Sequence, residues 1–279
     1  MNKLIRAGIK RTFRIKTLYI CLAVLFFIDG LDIIKEVLFP EPGRDLPSPE
    51  GYVVSGFLVV VLLAAVFISS FLGSEHQYGT LRNKIAVGHE RLKLYISSFI
   101  VCYTAVMIMY VFVWLMVGIL GTLLLGGFRS SAKQMLVLIL ISFLAFTMLT
   151  ALYVLIGMCI HSKSMSSVAA VIAAFMIMLT GVMTVQILSM PQYIPADEIP
   201  AQRLLEYEPS EDDPSLMKNP DYVGGSKRKL IETIHMLCPV SKILGYSDTI
   251  DAGDVLVPVA ETVVLMAAGM VIFTKRDLK

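Results

Sequence analysis

Residues 53–93 read VVSGFLVVVLLAAVFISSFLGSEHQYGTLRNKIAVGHERLK. The first half, Val53–Leu72, is 20 residues without Asp, Glu, Lys, Arg or His, whereas Glu75–Lys93 is polar and basic. A bilayer core about 30 Å thick is crossed by about 20 apolar helical residues. Hydrocarbon offers no partner to a free backbone N–H or C=O, so a helix is the local solution. Val53–Leu72 therefore predicts a membrane helix, and Glu75–Lys93 a structured segment at the membrane surface. That segment is too long for a hairpin turn, and its spacing predicts a short surface helix.

Outward from this stretch lie five further apolar runs: Thr17–Ile34, Leu94–Leu125, Met135–Ile160, Ser166–Leu188 and Val255–Phe273. The 279 residues are 56% hydrophobic and 16% charged, with mean hydropathy +0.75, which excludes an ordinary soluble domain. Strand-period alternation is absent, which argues against a membrane β-barrel. The expected fold is an all-α integral membrane protein with six transmembrane helices. Thr17–Ile34 is the weakest span, because Asp29 and Asp32 interrupt it. No small-residue cleavage site follows it, so it reads as an uncleaved first helix with both aspartates at its outer end.

Orientation follows from Lys and Arg. Lys3, Arg6, Lys10, Arg11, Arg14 and Lys16 precede the first span, with no acid among them. Adding Arg82, Lys84, Arg91, Lys93, Lys163, Lys275, Arg276 and Lys279 puts fourteen basic residues on one side. The two short loops of the other side hold four: Lys35, Arg44, Arg129 and Lys133. Both termini and the segment 75–93 are thus expected in the cytoplasm, and the chain in the plasma membrane of a prokaryote. A net charge of +2 is too slight to point to nucleic acid. Cys21, Cys102 and Cys159 lie in spans and only Cys238 outside them, so no disulfide framework is expected within the chain.

The chain divides into residues 1–16, residues 17–188 with five spans and the surface helix at about 75–93, residues 189–254 outside, and residues 255–279 with the last span and the tail. Leu4, Ile5, Ile9 and Phe13 set against six cations predict an amphipathic helix along the inner leaflet. Eleven of twelve prolines fall outside the spans, which predicts extended or turn-rich loops. The outer segment Ser189–Asp254 is acidic at its centre, Glu206–Asp221, a composition that predicts mobility. Lys229–Leu237 regains a helical pattern, and Ile243–Tyr246 is apolar again after Pro239. Two short helices broken at Pro239 are expected at the outer mouth of the bundle.

Ion-driven carriers need ionisable groups inside their spans. Predicted spans two to five carry none, and Glu261 is the one acid well inside a predicted helix. Glu261 is therefore the candidate intramembrane polar site, with a snorkelling or bundle-facing glutamate as the plainer reading. HExxH, GxSxG and metal-spaced Cys–His pairs are all missing, as is the ATP-binding motif GxxxxGK[ST]. No catalytic, cofactor or metal site is expected, and the chain does not read as an enzyme.

Within Glu75–Lys93, Thr80 is the candidate N-cap of a helix Leu81–Val87, and Gly88 its C′ residue. Glu75-x-x-x-Gly79-Thr80-Leu81-Arg82, followed by Gly88-x-x-Arg91 and Tyr95, resembles the E-x3-G-T-L-R…G-x-x-R…Y pattern of type-2 ABC-transporter permeases. Phe273-x-Lys275-Arg276-Asp277 resembles that family's tail, and Leu237-Cys-Pro239-Val-Ser241 its broken helices before the last span. The resemblance implies that Glu75, Gly79, Thr80, Leu81, Arg82, Gly88 and Arg91 belong to a coupling helix that docks on an ATPase subunit. It implies a second permease subunit too, as homodimer or heterodimer, in contact with membrane lipid, with ATP and Mg bound on the ATPase. The expected function is an exporter's membrane subunit for an amphipathic or apolar cargo such as a peptide, lipid or drug. The outer segment is longer and more acidic than a minimal member needs, which leaves the cargo open. Two alternatives stand beside it: a non-transporting scaffold or sensor using loop 206–221, and an ion-coupled carrier using Glu261.

Overall fold

Six helices have the length and apolarity to cross a bilayer in the computed structural model, which describes residues 1–40, 47–195, 215–245 and 250–275. An 11-residue helix α1 (Asn2–Thr12) precedes them. The first span joins α2 (Lys16–Leu25) to α3 (Leu31–Leu38) through a π-helical turn at Phe26–Gly30. Next come α4 (Pro49–Gln77), the short α5 (Thr80–Ala86), α6 (Arg91–Leu124), α7 (Ala132–Cys159) and α8 (Lys163–Ser189). Strands β1 (Tyr193–Pro195) and β2 (Leu216–Lys218) pair antiparallel. Helices α9 (Gly225–Leu237), α10 (Pro239–Leu244) and α11 (Ala252–Lys275) follow among the described residues.

Every predicted span is found, and each observed helix starts before the predicted run. Helical hydrogen bonding continues past the hydrocarbon, because a helix end leaves four unpaired carbonyls that further turns or caps must satisfy. The core forms around α4, which packs on α2, α6, α7 and α8. Phe57 is central to it, stacked on Tyr110 at 5.1 Å and edge-on to Phe146 at 5.4 Å. Such aromatic pairs add to plain area burial. The periphery is looser: 56% of the most apolar window of α4 is buried, against 22% for α8 and 11% for α11. Those two helices keep broad apolar faces for lipid or another chain.

The ends differ in chemistry. At the basic end, α1, the α4–α5 turn, the start of α6 and the end of α11 come together. At the opposite end, Glu50 is buried and its Oε1 accepts the backbone N–H groups of Arg129 (2.6 Å) and Ser130 (2.5 Å). This carboxylate closes the α6–α7 loop on the first turn of α4. Charge-assisted hydrogen bonds are worth about 1.5–3 kcal/mol together with the desolvation they relieve. Glu50→Gln is therefore expected to destabilise the folded chain by about 2 kcal/mol in detergent unfolding titrations; a wild-type midpoint would contradict this anchor.

Several expectations need correcting. Asp29 is not at an outer helix end in water but buried inside the π turn, where the Ser55 hydroxyl donates to it at 3.0 Å. Glu261 is thus not the one acid within a span. Pro49 and Pro239 open helices rather than loops, since the first helical residue has no use for its N–H. The break expected at Pro239 is found: α9 ends at Leu237 and α10 begins at Pro239. Helix α10 is packed into the bundle: Pro239–Ile243 are all buried, and α10 packs on α7 and α8. The acidic residues Glu206, Glu208, Glu211, Asp212 and Asp213 lie outside the described residues, as do Arg276 and Asp277 of the tail.

Candidate functional site

Helix α4 stops where Gly79 turns left-handed, at φ 63°. That region is open to glycine without penalty and costs an L side chain roughly 1 kcal/mol. Thr80 is not an N-cap. It is the first residue of α5, and its hydroxyl reaches back to donate to the Glu75 carbonyl at 3.0 Å. One orphan carbonyl of α4 is thereby satisfied. The other end of α5 follows the sequence reading: Gly88 has φ 93° and donates to Ile85 O at 2.9 Å, while His89 N–H reaches Lys84 O at 3.2 Å. This paired bonding is a Schellman motif, with Gly88 at C′.

Glu75 faces the interior. It is 3% exposed, and its Oε1 lies 2.8 Å from both Arg11 Nη1 and Lys84 Nζ. The Arg11 guanidinium also sits over the Phe71 ring, 4.8 Å from its centroid, an arrangement that suits a delocalised cation. One carboxylate thus ties three helices: α1 through Arg11, α4 through itself and α5 through Lys84. Leu81 is 1% exposed and seats the inner side of α5 in the core. The remaining surface points away from the bundle: Tyr78 (72% exposed), Arg82, Asn83, Ala86 and Val87 (80% exposed). Beside it, Glu75, His76, Gly79, Arg82 and His161 line a cavity of about 200 Å³.

Arg91 and Tyr95 lie one turn apart on α6 and both meet α11. Arg91 Nη1 donates to the Thr274 carbonyl at 3.0 Å, near the end of α11. Tyr95 is fully buried against Phe273, with ring centroids 6.1 Å apart, and its hydroxyl fills the space over Gly269. The residues predicted as one coupling site therefore divide by role. Glu75, Thr80 and Leu81 hold α5, Gly79 and Gly88 shape its ends, Arg82 faces outward, and Arg91 binds the last span.

Glu261 stands apart from this site, on α11 towards the opposite end, and within electrostatic range of Lys242. The Lys242 ammonium is buried, donates to Gly253 O at 3.1 Å and lies 3.6 Å from Asp254 Oδ1. Burial pushes its pKa down, and Asp254 opposes that shift. Burial also lowers the pKa of His235, with Asp254 raising it and the Lys242 charge lowering it. Lys242 thus pins α10 to the start of α11. Among the described residues no cluster of three or more His, Cys, Asp or Glu is arranged to hold a metal ion.

Sequence reasoning missed the partners of Glu75. Lys84 is nine residues away, and Arg11 was read only as one of six topological cations. Their signal was faint: Arg11 directly precedes Thr12, the one buried residue of α1. Asp29 was visible as an acid in a span, but nothing in the sequence marks the π turn that carries it inward.

No curated protein matches the chain. A family model described as ABC-2 family transporter protein matches residues 10–181. The match takes in Arg11, all of α4 and α5, and Arg91 and Tyr95, and stops before α9–α11. It covers more than half of the 279 residues, so the chain belongs to the ABC-2 transporter family, as a multi-pass membrane component.

Proposed function

We propose that this chain is the membrane subunit of an ATP-driven exporter and moves an amphipathic or apolar substrate with energy from a separate ATPase subunit. The observation that carries this reading is the arrangement of α5. The helix is fixed on its inner side by Glu75 and Leu81 and offers Tyr78, Arg82, Asn83, Ala86 and Val87 to a partner. ATP and Mg bind on that partner, and its closure pushes on α5. Because Glu75 joins α5 to α1 and α4, the push reaches both without a relay of charged groups across the membrane.

The basic end is cytoplasmic, on the count of fourteen basic residues against four, and the membrane is a prokaryotic plasma membrane. A second permease subunit, identical or related, completes the pathway, and the exposed apolar faces of α8 and α11 are available for it and for lipid. The largely apolar spans suit a peptide, lipid or drug with little charge.

Arg82 is the outward group of greatest recognition value, since arginine forms planar paired hydrogen bonds and is enriched among interface hot spots. Arg82→Ala is expected to lower ATP-driven turnover about tenfold, the cost of losing about 1.4 kcal/mol at an interface, with unchanged thermal stability. Wild-type turnover in both Arg82→Ala and Val87→Asp would sink the docking role of this face.

A further inference from the structure

We propose that the cavity between α1, α2, α4 and α8 at the basic end binds the phosphate of an anionic lipid from the adjoining leaflet. The cavity has a volume of about 230 Å³, the space of roughly seven or eight waters. Its polar lining consists of Arg11, Thr17, Ser70, Ser74, Tyr78 and Lys163. Two of these six are cations and the other four hydroxyls, a set rich in donors and without a carboxylate.

The lining groups are available for a ligand. Lys163 opens α8 and makes no ion pair among the described residues. It is held close because α8 crosses α4 at Gly73, where an added Cβ would lie 2.9 Å from the Lys163 Cα. Arg11 commits Nη1 to Glu75, and the guanidinium carries five N–H donors in all. The hydroxyls of Thr17, Ser70 and Tyr78 have no partner among the described residues. Ser74 donates to Ser70 O at 2.7 Å. Counting the neighbouring Lys84 and Glu75, three cations stand against one carboxylate, so the local field favours an anion.

The chemistry of the walls selects a lipid over a free ion. Ile15, Phe67 and Phe71 line the same space, and Phe67 stacks on Phe71 at 5.9 Å. The cavity lies between the amphipathic α1 and three spans, at the basic end of the bundle, where α1 and the span ends bring cations and apolar side chains together. Charge-assisted hydrogen bonds to phosphate are among the stronger ones available there. Arg11 belongs to this cavity and to the Glu75 junction alike, so an occupied site also braces α5.

The test uses the purified full chain in nanodiscs of phosphatidylcholine containing a minor fraction of phosphatidylglycerol. Native mass spectrometry then reads which lipid is retained. Phosphatidylglycerol is expected to be retained in preference to phosphatidylcholine, and Lys163→Gln to retain about fivefold less. Arg14→Gln, an exposed cation outside the lining, is expected to retain it as the wild type does, and millimolar inorganic phosphate not to displace it. Equal retention of both lipids, wild-type retention by Lys163→Gln, or an equal loss in Arg14→Gln would each overturn the proposal. Displacement by inorganic phosphate would overturn the lipid as ligand in favour of a free anion. Should Lys163→Gln fail to fold, the pair Ser70→Ala and Tyr78→Phe takes its place. A loss of retention is expected there, and none would count against the site. The readout needs no transport, so its result stands apart from the exporter reading.

Discussion

Glu75→Gln is expected to lower the unfolding free energy by about 2–3 kcal/mol and coupled turnover by at least tenfold. Removing one partner of a fully buried ion pair costs about 3–5 kcal/mol, because the remaining charge is stranded. Here the two cations keep roughly a third of their side-chain surface in water, 34% for Arg11 and 32% for Lys84, which reduces that cost. The loss of turnover has a separate cause: without the carboxylate, α5 keeps Leu81 but loses its tie to α1. Detergent unfolding titration and ATP-driven transport of the reconstituted complex measure the two effects. Adding Arg11→Gln to Glu75→Gln is expected to recover part of the stability, since one stranded cation is gone. A Glu75→Gln chain of wild-type stability would show that the junction contributes nothing. The contrast with Arg82→Ala is diagnostic, because Arg82 faces outward and its loss is expected to spare stability.

The second large effect is expected at Gly269. A Cβ there would fall on the Tyr95 hydroxyl, and Tyr95 is fully enclosed, so the ring has no free space to enter. Gly269→Val is therefore expected to cost about 1–3 kcal/mol through overpacking and to loosen α11 at its basic end. The consequence for α11 is disproportionate, since only 11% of its most apolar window is buried and its remaining attachments are to α7, α9, Lys242 of α10 and Arg91 of α6. Protease accessibility of the tail after Lys275 reports this directly. Increased cleavage is expected in Gly269→Val, since a Cβ at 269 would meet the Tyr95 hydroxyl and lie 2.5 Å from its ring carbon Cζ. Unchanged cleavage and stability in Gly269→Val would contradict the role given to Tyr95.

The spans were legible because hydrocarbon leaves so few choices. Twenty apolar residues without a charge, as in Val53–Leu72, have one stable conformation in a bilayer. The limits of α5 were legible for a different reason. A left-handed C′ position calls for glycine, and Gly88 supplies it. Thr80 misled because threonine serves N-caps and also bonds backward to a carbonyl, and the sequence does not say which. Glu75 was singled out by the family resemblance of Glu75-x-x-x-Gly79-Thr80-Leu81-Arg82, yet its direction was not. Whether a carboxylate faces a partner protein or its own bundle depends on Arg11, 64 residues away. Asp29 was hidden for a similar reason: a π turn and a hydroxyl on another helix turn it inward. Lys163, which makes no ion pair among the described residues, was legible only as a positive loop charge.

On the proposed reading, the outward face of α5 is the seat of an ATPase. The most direct measurement is site-directed crosslinking from Val87→Cys, with Leu230→Cys on α9 as the control at the opposite end; both positions are exposed. Cys21, Cys102 and Cys238 are buried, so Cys159→Ser provides a quiet background. With the chain co-expressed beside its ATPase, Val87→Cys is predicted to give a crosslink to that subunit whose yield changes on ATP binding. Leu230→Cys is predicted to give none. An ATPase that co-purifies but never crosslinks from residues 82–87 would rule out this face as its seat.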